Sequence, residues 1–376
     1  DQPTSGNIDQ SLLLLPPQKI FDKKNFNSRD GFVLTDFGAK QYYLYYGTQT
    51  NRTYYAMMDN KVTRNLRISY GIRNENYTNV VHSFKDVNSK LKVDSTFHDW
   101  LPSANVIYSL LPKANIRLSY SRTVVRPLYR ELASTLFYDF IQNATYYGTS
   151  LTETKIDNYE LRWEQYFNNA QFYSVSGFYK KFKNAIEQKI IIDGADSKTI
   201  TWQNVPQSED LGVELEARKN LDFITSALSN LYLYGNASLI KSTAYVKGNG
   251  SDTVNRPLAG QSPYIINASV QYSEPKTGIN FSALYNVIGS RISLIGGKES
   301  NYYWEKIHPQ LDIKISKSFL HNNGIAELSV ADLLHKNDVV FWDENNNKKY
   351  DANYPDVLVQ SRSFGTTITL SIAYKF

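Results

Sequence analysis

The sequence predicts an all-β chain, a transmembrane antiparallel β-barrel of about thirteen strands, on three observations. Segments of roughly ten residues alternate apolar and polar side chains, at the length a tilted strand needs to cross a bilayer. The connections between them alternate between short turns and long polar loops. Aromatic residues gather where the segments end, at Tyr108, Tyr166, Phe167, Tyr272, Phe319 and Phe376, as a membrane-interface girdle requires.

The first clear strand is expected near residues 51–59, with residues 1–48 forming an extracellular segment that leads into a barrel over 49–376. After it, Leu66, Ile68, Tyr70 and Ile72 alternate with Arg67, Ser69, Gly71 and Arg73. Tyr159, Leu161 and Trp163 alternate with Glu160, Arg162 and Glu164, and Val213, Leu215 and Ala217 with Glu214, Glu216 and Arg218. Ile279, Phe281, Ala283 and Tyr285 alternate with Asn280, Ser282 and Asn286. In the last segment Phe364, Ile368, Leu370, Ile372, Tyr374 and Phe376 share one side, with Thr367, Thr369, Ser371 and Lys375 on the other. Short turns are expected at 60–65, 111–114, 167–170, 274–278 and 320–324, and a longer one at 220–230. Long connections are expected at 83–97, 125–154, 188–200, 245–258, 295–305 and 341–362.

Composition agrees. Tyr occurs 29 times and Phe 18 times, while the mean hydropathy of -0.44 is polar for a protein so rich in aromatics. No run approaches the ~18–20 apolar residues of a membrane helix, and the apolar run at 12–15 is closed by Pro16 and Pro17. A polar inner side would be costly in a packed soluble sandwich. The net charge of +5 comes from scattered residues with no basic stripe, so a nucleic-acid partner is not expected. With no Cys and five dispersed His residues, neither a zinc site nor a thiol nucleophile is expected, and no catalytic constellation stands out. The chain reads as a non-enzyme.

Ser121-Arg122-Thr123-Val124-Val125-Arg126-Pro127, followed by Arg130-Glu131-Leu132, resembles the Arg-x-Pro-x-x-x-Glu-Leu signature of TonB-dependent outer-membrane receptors. Phe137-Tyr138-Asp139-Phe140 continues it in the manner of Bacteroidota members of that family. Asn158-Tyr159-Glu160-Leu161-Arg162-Trp163-Glu164, Gly212-Val213-Glu214-Leu215-Glu216, Pro309-Gln310-Leu311-Asp312-Ile313 and the closing Ile372-Ala373-Tyr374-Lys375-Phe376 look like the same group. The resemblance implies the C-terminal part of a 22-stranded barrel in the cell outer membrane, its C-terminus periplasmic. It also implies import of an iron chelate, oligosaccharide or peptide, energised by the TonB system through a plug domain that nothing in this chain resembles. Partners would be outer-membrane lipid, TonB and a surface lipoprotein lid or other envelope proteins. Two other readings are a docking component of an envelope complex and a passive channel of about fourteen strands that uses residues 32–46 as the extra one.

Two groups are candidate sites. Arg122, Arg126 and Glu131 would lie at the mouth or upper lumen and contact substrate or plug, or else Arg126 and Glu131 brace a long loop against the wall. The inner-side charges Glu160, Arg162, Glu214 and Arg218 would be solvated or contact a plug, and only secondarily substrate. Tyr138 would stack on a sugar or a catechol, or belong simply to an aromatic-rich barrel. Asp343, Asn345, Asn347 and Asp351 place oxygen ligands at the first, third, fifth and ninth positions of a calcium loop. Lys348 at the sixth position and Tyr354 at the twelfth depart from that pattern, and the other reading is a polar loop tip. Apart from this Ca2+, no cofactor is expected.

Overall fold

The computed structural model describes residues 10–20, 22–26, 44–84, 90–139, 144–192, 198–247, 253–296, 302–321, 323–345, 347–353 and 355–375. One antiparallel sheet dominates, and its main path has thirteen strands in chain order. They are β1 (Tyr46–Lys61), β2 (Leu66–Phe84), β3 (Lys90–Leu111), β4 (Ala114–Val125), β5 (Thr154–Tyr166), β6 (Phe172–Ile192) and β7 (Lys198–Asn220). Then follow β8 (Leu231–Lys247), β9 (Tyr264–Glu274), β10 (Ile279–Ile288), β11 (His308–Phe319), β12 (Gly324–Ala331) and β13 (Thr367–Tyr374). The sheet is open: among the described residues β1 pairs only with β2, and β13 only with β12. Residues 32–43, most of the segment expected to supply a fourteenth strand, lie outside the described residues.

Pairing register fixes what each face displays, because side chains alternate along every strand. Across β4 to β8 one outward row holds Ile116, Trp163, Val175, Leu215 and Ala237. The next row toward the long connections holds Leu118, Leu161, Gly177, Val213 and Leu239. Above it lie Tyr120, Tyr159, Tyr179, Leu211 and Lys241, then Arg122, Asp157, Lys181, Glu209 and Thr243. Apolar, aromatic and charged rows thus succeed one another as hydrocarbon, interface and water would require. Leu118, Leu161 and Leu239 are all more than half exposed, an arrangement only a lipid-facing surface tolerates. The inner face is the opposite: Asn115, Glu164, Ser174, Glu216, Asn236, Asn267, Asn286 and Gln310 form one polar row eight strands wide.

The strands are longer than alternation alone marks out. β1 begins at Tyr46 rather than near residue 51, β3 and β6 run well into segments expected to be loops, and β2, β7 and β8 enter them by two or three residues. Strand pairing continues beyond the lipid because the extended hairpins gain a packed core of their own. Val81, Leu132, Tyr146, Leu151, Ile190, Ile200, Trp202, Tyr303 and Val340, drawn from five connections, meet in one buried cluster. A second sheet joins Arg291–Leu294, Tyr303–Glu305, Asp338–Trp342 and Val357–Arg362 over this end. It is tied to β6 by the Ile190 amide donating to Ile295 at 2.8 Å and the Ile295 amide donating to Gln188 at 3.2 Å. At the opposite end the connections are short turns, such as residues 112–113 between β3 and β4.

The β6–β7 hairpin leaves the wall at a defined height. β6 last pairs with β5 at Lys183, and β7 first pairs with β8 at Gln207. Lys183 and Gln207 form one rung, and just beyond it Asn184 adopts φ +59° opposite Pro206, which has no N–H to give the ladder, so the pairing skips one rung without losing register. Strict alternation from Phe182 and Ser208 would turn Ala185 and Val205 outward, yet both are buried, packed with Ala244.

The two faces predict different tolerance to charge. Val213→Arg, in the outward apolar band, is expected to destabilise the folded barrel by roughly 2–4 kcal/mol. Its inner-facing neighbour Glu214→Arg is expected to have a much smaller effect. Denaturant titration of the refolded variants in lipid vesicles checks the difference.

Candidate functional site

Above Ser103, where pairing of β3 to β4 ends, the wall parts, and Arg126 fills the gap. Its guanidinium meets Glu75 at 2.6 Å, Asp99 at 2.7 Å and Glu153 at 3.6 Å, and lies 4.4 Å above the centre of the Tyr77 ring. Lys155 adds contacts to Asp99 at 2.8 Å and Glu153 at 3.1 Å, and Arg73 pairs with Glu75 at 2.6 Å. The Asp99 side chain is 1% exposed and that of Glu153 4%. Three carboxylates face three cations, and the desolvation of the acids is offset only while all partners are present. Burial and the neighbouring Asp99 carboxylate push the Glu153 carboxyl above its ordinary value, against the pull of Lys155.

Glu131 does something else. It is the third residue of a single helical turn, α1 (Tyr129–Leu132), and its carboxylate accepts the Leu128 amide at 2.9 Å, capping that turn. Burial raises the Glu131 carboxyl above the usual range, partly offset by this bond. Arg126 and Glu131 therefore brace the same loop separately, not as a pair. Between them in sequence, Arg130 is held over the Phe137 ring at 3.8 Å and the Tyr146 ring at 4.8 Å. Tyr138, half exposed, sits in a short strand Phe137–Asp139 that pairs with Ala144–Tyr146. The latter runs parallel to β7 at Thr199 and Ile200, so the loop is stitched to the extended hairpin.

Arg122 is set apart from these residues. It lies on the outward face, where it grips Asp157 at 2.8 and 3.2 Å, one row beyond the tyrosines. The expectation that it joins Arg126 at the upper lumen is corrected by strand parity: Arg122 follows Leu118 and Tyr120 by steps of two.

The remaining inner-face candidates come together below the loops. Arg162 donates to Glu164 at 3.0 Å and to Glu216 at 2.9 Å, and Glu216 also accepts Tyr234 at 2.8 Å. Asn236 donates to the Tyr234 hydroxyl at 3.1 Å and accepts Asn267 at 2.8 Å, which accepts Asn286 at 2.6 Å. Glu214 accepts Ser238 at 3.2 Å, Arg218 lies 4.9 Å over the Tyr232 ring, and Glu160 is half-buried on the same face. The result is a hydrogen-bonded strip to which five strands, β5 and β7 to β10, contribute, polar enough to hold water or a polar body against the wall.

The Asp343 to Asp351 loop is also ordered by its own oxygens. Buried Asp343 accepts the amides of Asn347 at 3.1 Å and Lys348 at 2.8 Å. Asn345 accepts Asn347 at 3.0 Å, Asn347 accepts Lys349 at 2.7 Å, and Asp351 accepts Asn353 at 3.1 Å. Lys348 takes φ +63°, the conformation for which the corresponding calcium-loop position uses Gly. Among the described residues no group of three or more His, Cys, Asp or Glu side chains could hold a metal.

Sequence reasoning missed the acids around Arg126. Glu75, Asp99 and Glu153 lie 51, 27 and 27 residues from it, and periodicity states only which face each occupies. It also missed the buried pair of Arg256 with Glu187, at 2.5 Å, which fastens a mouth loop to β6.

Comparison with known proteins places the chain. The sequence model of the family "TonB dependent receptor-like, beta-barrel" matches residues 15–375. No curated protein matches in sequence. Among solved structures, the ferric yersiniabactin uptake receptor FyuA of Yersinia pestis is similar with a TM-score of 0.58 at 14% identity, over 88% of this chain and 46% of that one. The ferric-catecholate import receptor Fiu of E. coli K12 has a TM-score of 0.58 at 15% identity, over 88% and 45%. The ferric enterobactin receptor PfeA of Pseudomonas aeruginosa, a mutant bound to enterobactin, has a TM-score of 0.55 at 14% identity, over 88% and 55%. This chain spans about half the length of the structures it matches.

Removing the central cation leaves three buried acids unbalanced, so Arg126→Ala is expected to cost about 3–5 kcal/mol, read as a drop in denaturation midpoint. Arg126→Lys, which keeps the charge and loses the fork, is expected to recover part of it. Glu131 predicts a pH effect. Its folded-state pKa is raised, so its contribution to stability is full below the ordinary value and is lost as pH climbs through the shifted one. Glu131→Gln is expected to remove that part of the pH dependence of melting, which lies above about pH 4.5.

Proposed function

The chain belongs to the TonB dependent receptor-like β-barrel family, and from that membership we propose that it forms wall and mouth of an active nutrient importer in the bacterial outer membrane. The observation that carries this reading is the division of labour along the sheet. An apolar outer band sits under an aromatic row, a continuous polar strip lines the inner face, and one end is roofed by loops welded into a common core. A channel for small solutes has little use for that roof; a receptor that must grip a scarce, bulky solute does.

In this reading the polar inner strip faces a plug, which the TonB system displaces using energy from the inner membrane. Among the described residues β1 and β13 each keep one edge unpaired, which supports closure by further strands, toward the 22 expected of the family, since hydrocarbon does not tolerate unmatched backbone groups. The loop-bearing end faces the exterior and the C-terminus the periplasm. An iron chelate is the first substrate class to test. Arg130 over Phe137 and Tyr146 suits a flat anionic solute, and the solved receptors of similar fold are described as handling ferric enterobactin, ferric yersiniabactin and ferric catecholates. Oligosaccharides and peptides are the other two classes. A lipoprotein lid over the loops and calcium at Asp343, Asn345, Asn347 and Asp351 belong to this proposal as well.

Growth of cells carrying the complete receptor, on each substrate class as sole source, tests it. Uptake of one class is expected to require both this protein and TonB. Uptake that persists when TonB is deleted would overturn the reading.

A further inference from the structure

Where the wall parts, three side chains of the charged cluster stand in an arrangement that charge balance alone does not need. By strand parity Asp99 of β3 turns inward and Lys155 of β5 outward, yet the gap above Ser103 lets the lysine reach through to the aspartate. Its Nζ lies 2.8 Å from Asp99 Oδ1 and 3.1 Å from Glu153 Oε1, and both acids are almost wholly out of solvent. Asp99 Oδ2 accepts Arg126 at 2.7 Å, whereas Oδ1 is buried and, among the described residues, has no donor in hydrogen-bond geometry. Asp99 and Glu153 are hydrogen-bonded to each other, a contact between two carboxyls that requires one of them to hold a proton.

We propose that these side chains are a self-processing site, in which the Lys155 amine condenses with the Asp99 carboxyl, Glu153 carrying the proton, to form an isopeptide bond between β3 and β5. A proton first passes from the Lys155 ammonium to Glu153 across their 3.1 Å contact, which leaves the net charge of the cluster unchanged. The free amine then attacks Cγ of Asp99. The N–C bond forms as a C–O bond breaks, and the departing oxygen takes one proton from the amine and one from Glu153 and leaves as water. The products are a neutral amide, water and the Glu153 carboxylate, so no oxidant or outside reactant is needed. Four features favour the step. The reacting groups are held in contact beforehand, which supplies the proximity that amide condensation in water lacks. Arg126 on Oδ2 stands where negative charge gathers as Cγ becomes tetrahedral. Of the three cations only Lys155 can shed a proton, and the two arginines left behind face Glu75 and Glu153, two charges against two. Burial and the Asp99 charge raise the Glu153 carboxyl, bringing its proton affinity toward that of the amine. Its bond to Asp99 holds the Lys155 ammonium above its ordinary value, so the free amine is a minority form and the link follows folding. The bond ties β3 to β5 where β3 and β4 have ceased to pair. The inference concerns the wall and not transport, so an uptake assay and the test below fail independently.

The complete receptor is extracted from outer membranes in detergent, held at growth temperature, denatured and weighed by mass spectrometry, then digested with trypsin. The unaltered protein is expected to be one water lighter than its mature sequence, to resist cleavage after Lys155, and to yield a branched peptide joining Asp99 to Lys155. Lys155→Arg keeps the positive charge, lacks the amine, and is expected to have the full mass. Glu153→Gln keeps the pair in contact and is expected to slow linking by about 100-fold or more, the scale of a lost proton carrier. Heat-modifiable gel migration verifies that each variant is folded. An unaltered protein of full mass that trypsin cuts after Lys155, or a loss of water that survives Lys155→Arg, would overturn the proposal.

Discussion

Hydrocarbon offers a peptide group nothing to bond to, and the whole architecture follows from that fact. Each strand must find both neighbours, so the chain is committed to one long antiparallel ladder in which thirteen consecutive segments pair in order. Once the ladder exists, its two faces have unrelated tasks. The outward face has to resemble its solvent, which is why exposed leucines cost nothing there. The inward face is released from hydrophobic packing and can be built of Asn, Ser, Glu and Arg, provided they bond to one another. Glu164, Arg162, Glu216, Asn236, Asn267 and Asn286 meet that condition, whereas Ser174, buried in the same row, has no partner among the described residues.

Beyond the lipid the same ladder meets water, and its stability has to come from somewhere else. The long strands solve this by importing an ordinary soluble-protein core to the rim: Ile190, Ile200 and Trp202 from one hairpin pack with Leu132 and Tyr146 from another connection and Tyr303 and Val340 from the upper sheet. The Arg126 cluster complements it. Where the wall parts, backbone pairing is replaced by ion pairs whose acids and central Arg126 are nearly out of solvent. Such a cluster fixes the geometry of the opening more firmly than it adds to stability, because any single loss strands the rest.

Much of this was legible beforehand, for a physical reason. Alternation with period two is imposed by lipid on one side and water on the other, so Tyr159 to Glu164 and Val213 to Arg218 announced both strand and facing. Strand number followed from the same signal. The signal fails where the environment stops being two-sided. Thr201 and Trp202 are buried as neighbours in sequence because the hairpin there is covered on both faces, and nothing in such a run separates strand from loop. Proximity in sequence also misled: Arg122 and Arg126 belong to one motif, but four residues along a strand that ends between them carry one to the outer surface and the other into the gap. The partners of Arg126 are set by the register of other strands, which no local pattern records.

The skipped rung at Asn184 and Pro206 has a consequence for how the receptor can change over time. Because both strands slip there together, the partner of every residue above it is unaltered, while inside and outside have traded places. The hairpin above is in effect a cassette mounted on a half-twist. Lengthening or shortening both of its arms by two residues keeps its greasy side toward the other loops. Excising Asn184 and Pro206 would leave every cross-strand neighbour and every facing above them as they are, whereas excising an ordinary rung such as Ala185 with Val205 would keep the neighbours and turn Ile190 and Ile200 over. Away from the skipped rung, variation of this loop is thereby quantised in steps of two, and lineages that alter the mouth there are confined to even-numbered edits on each arm.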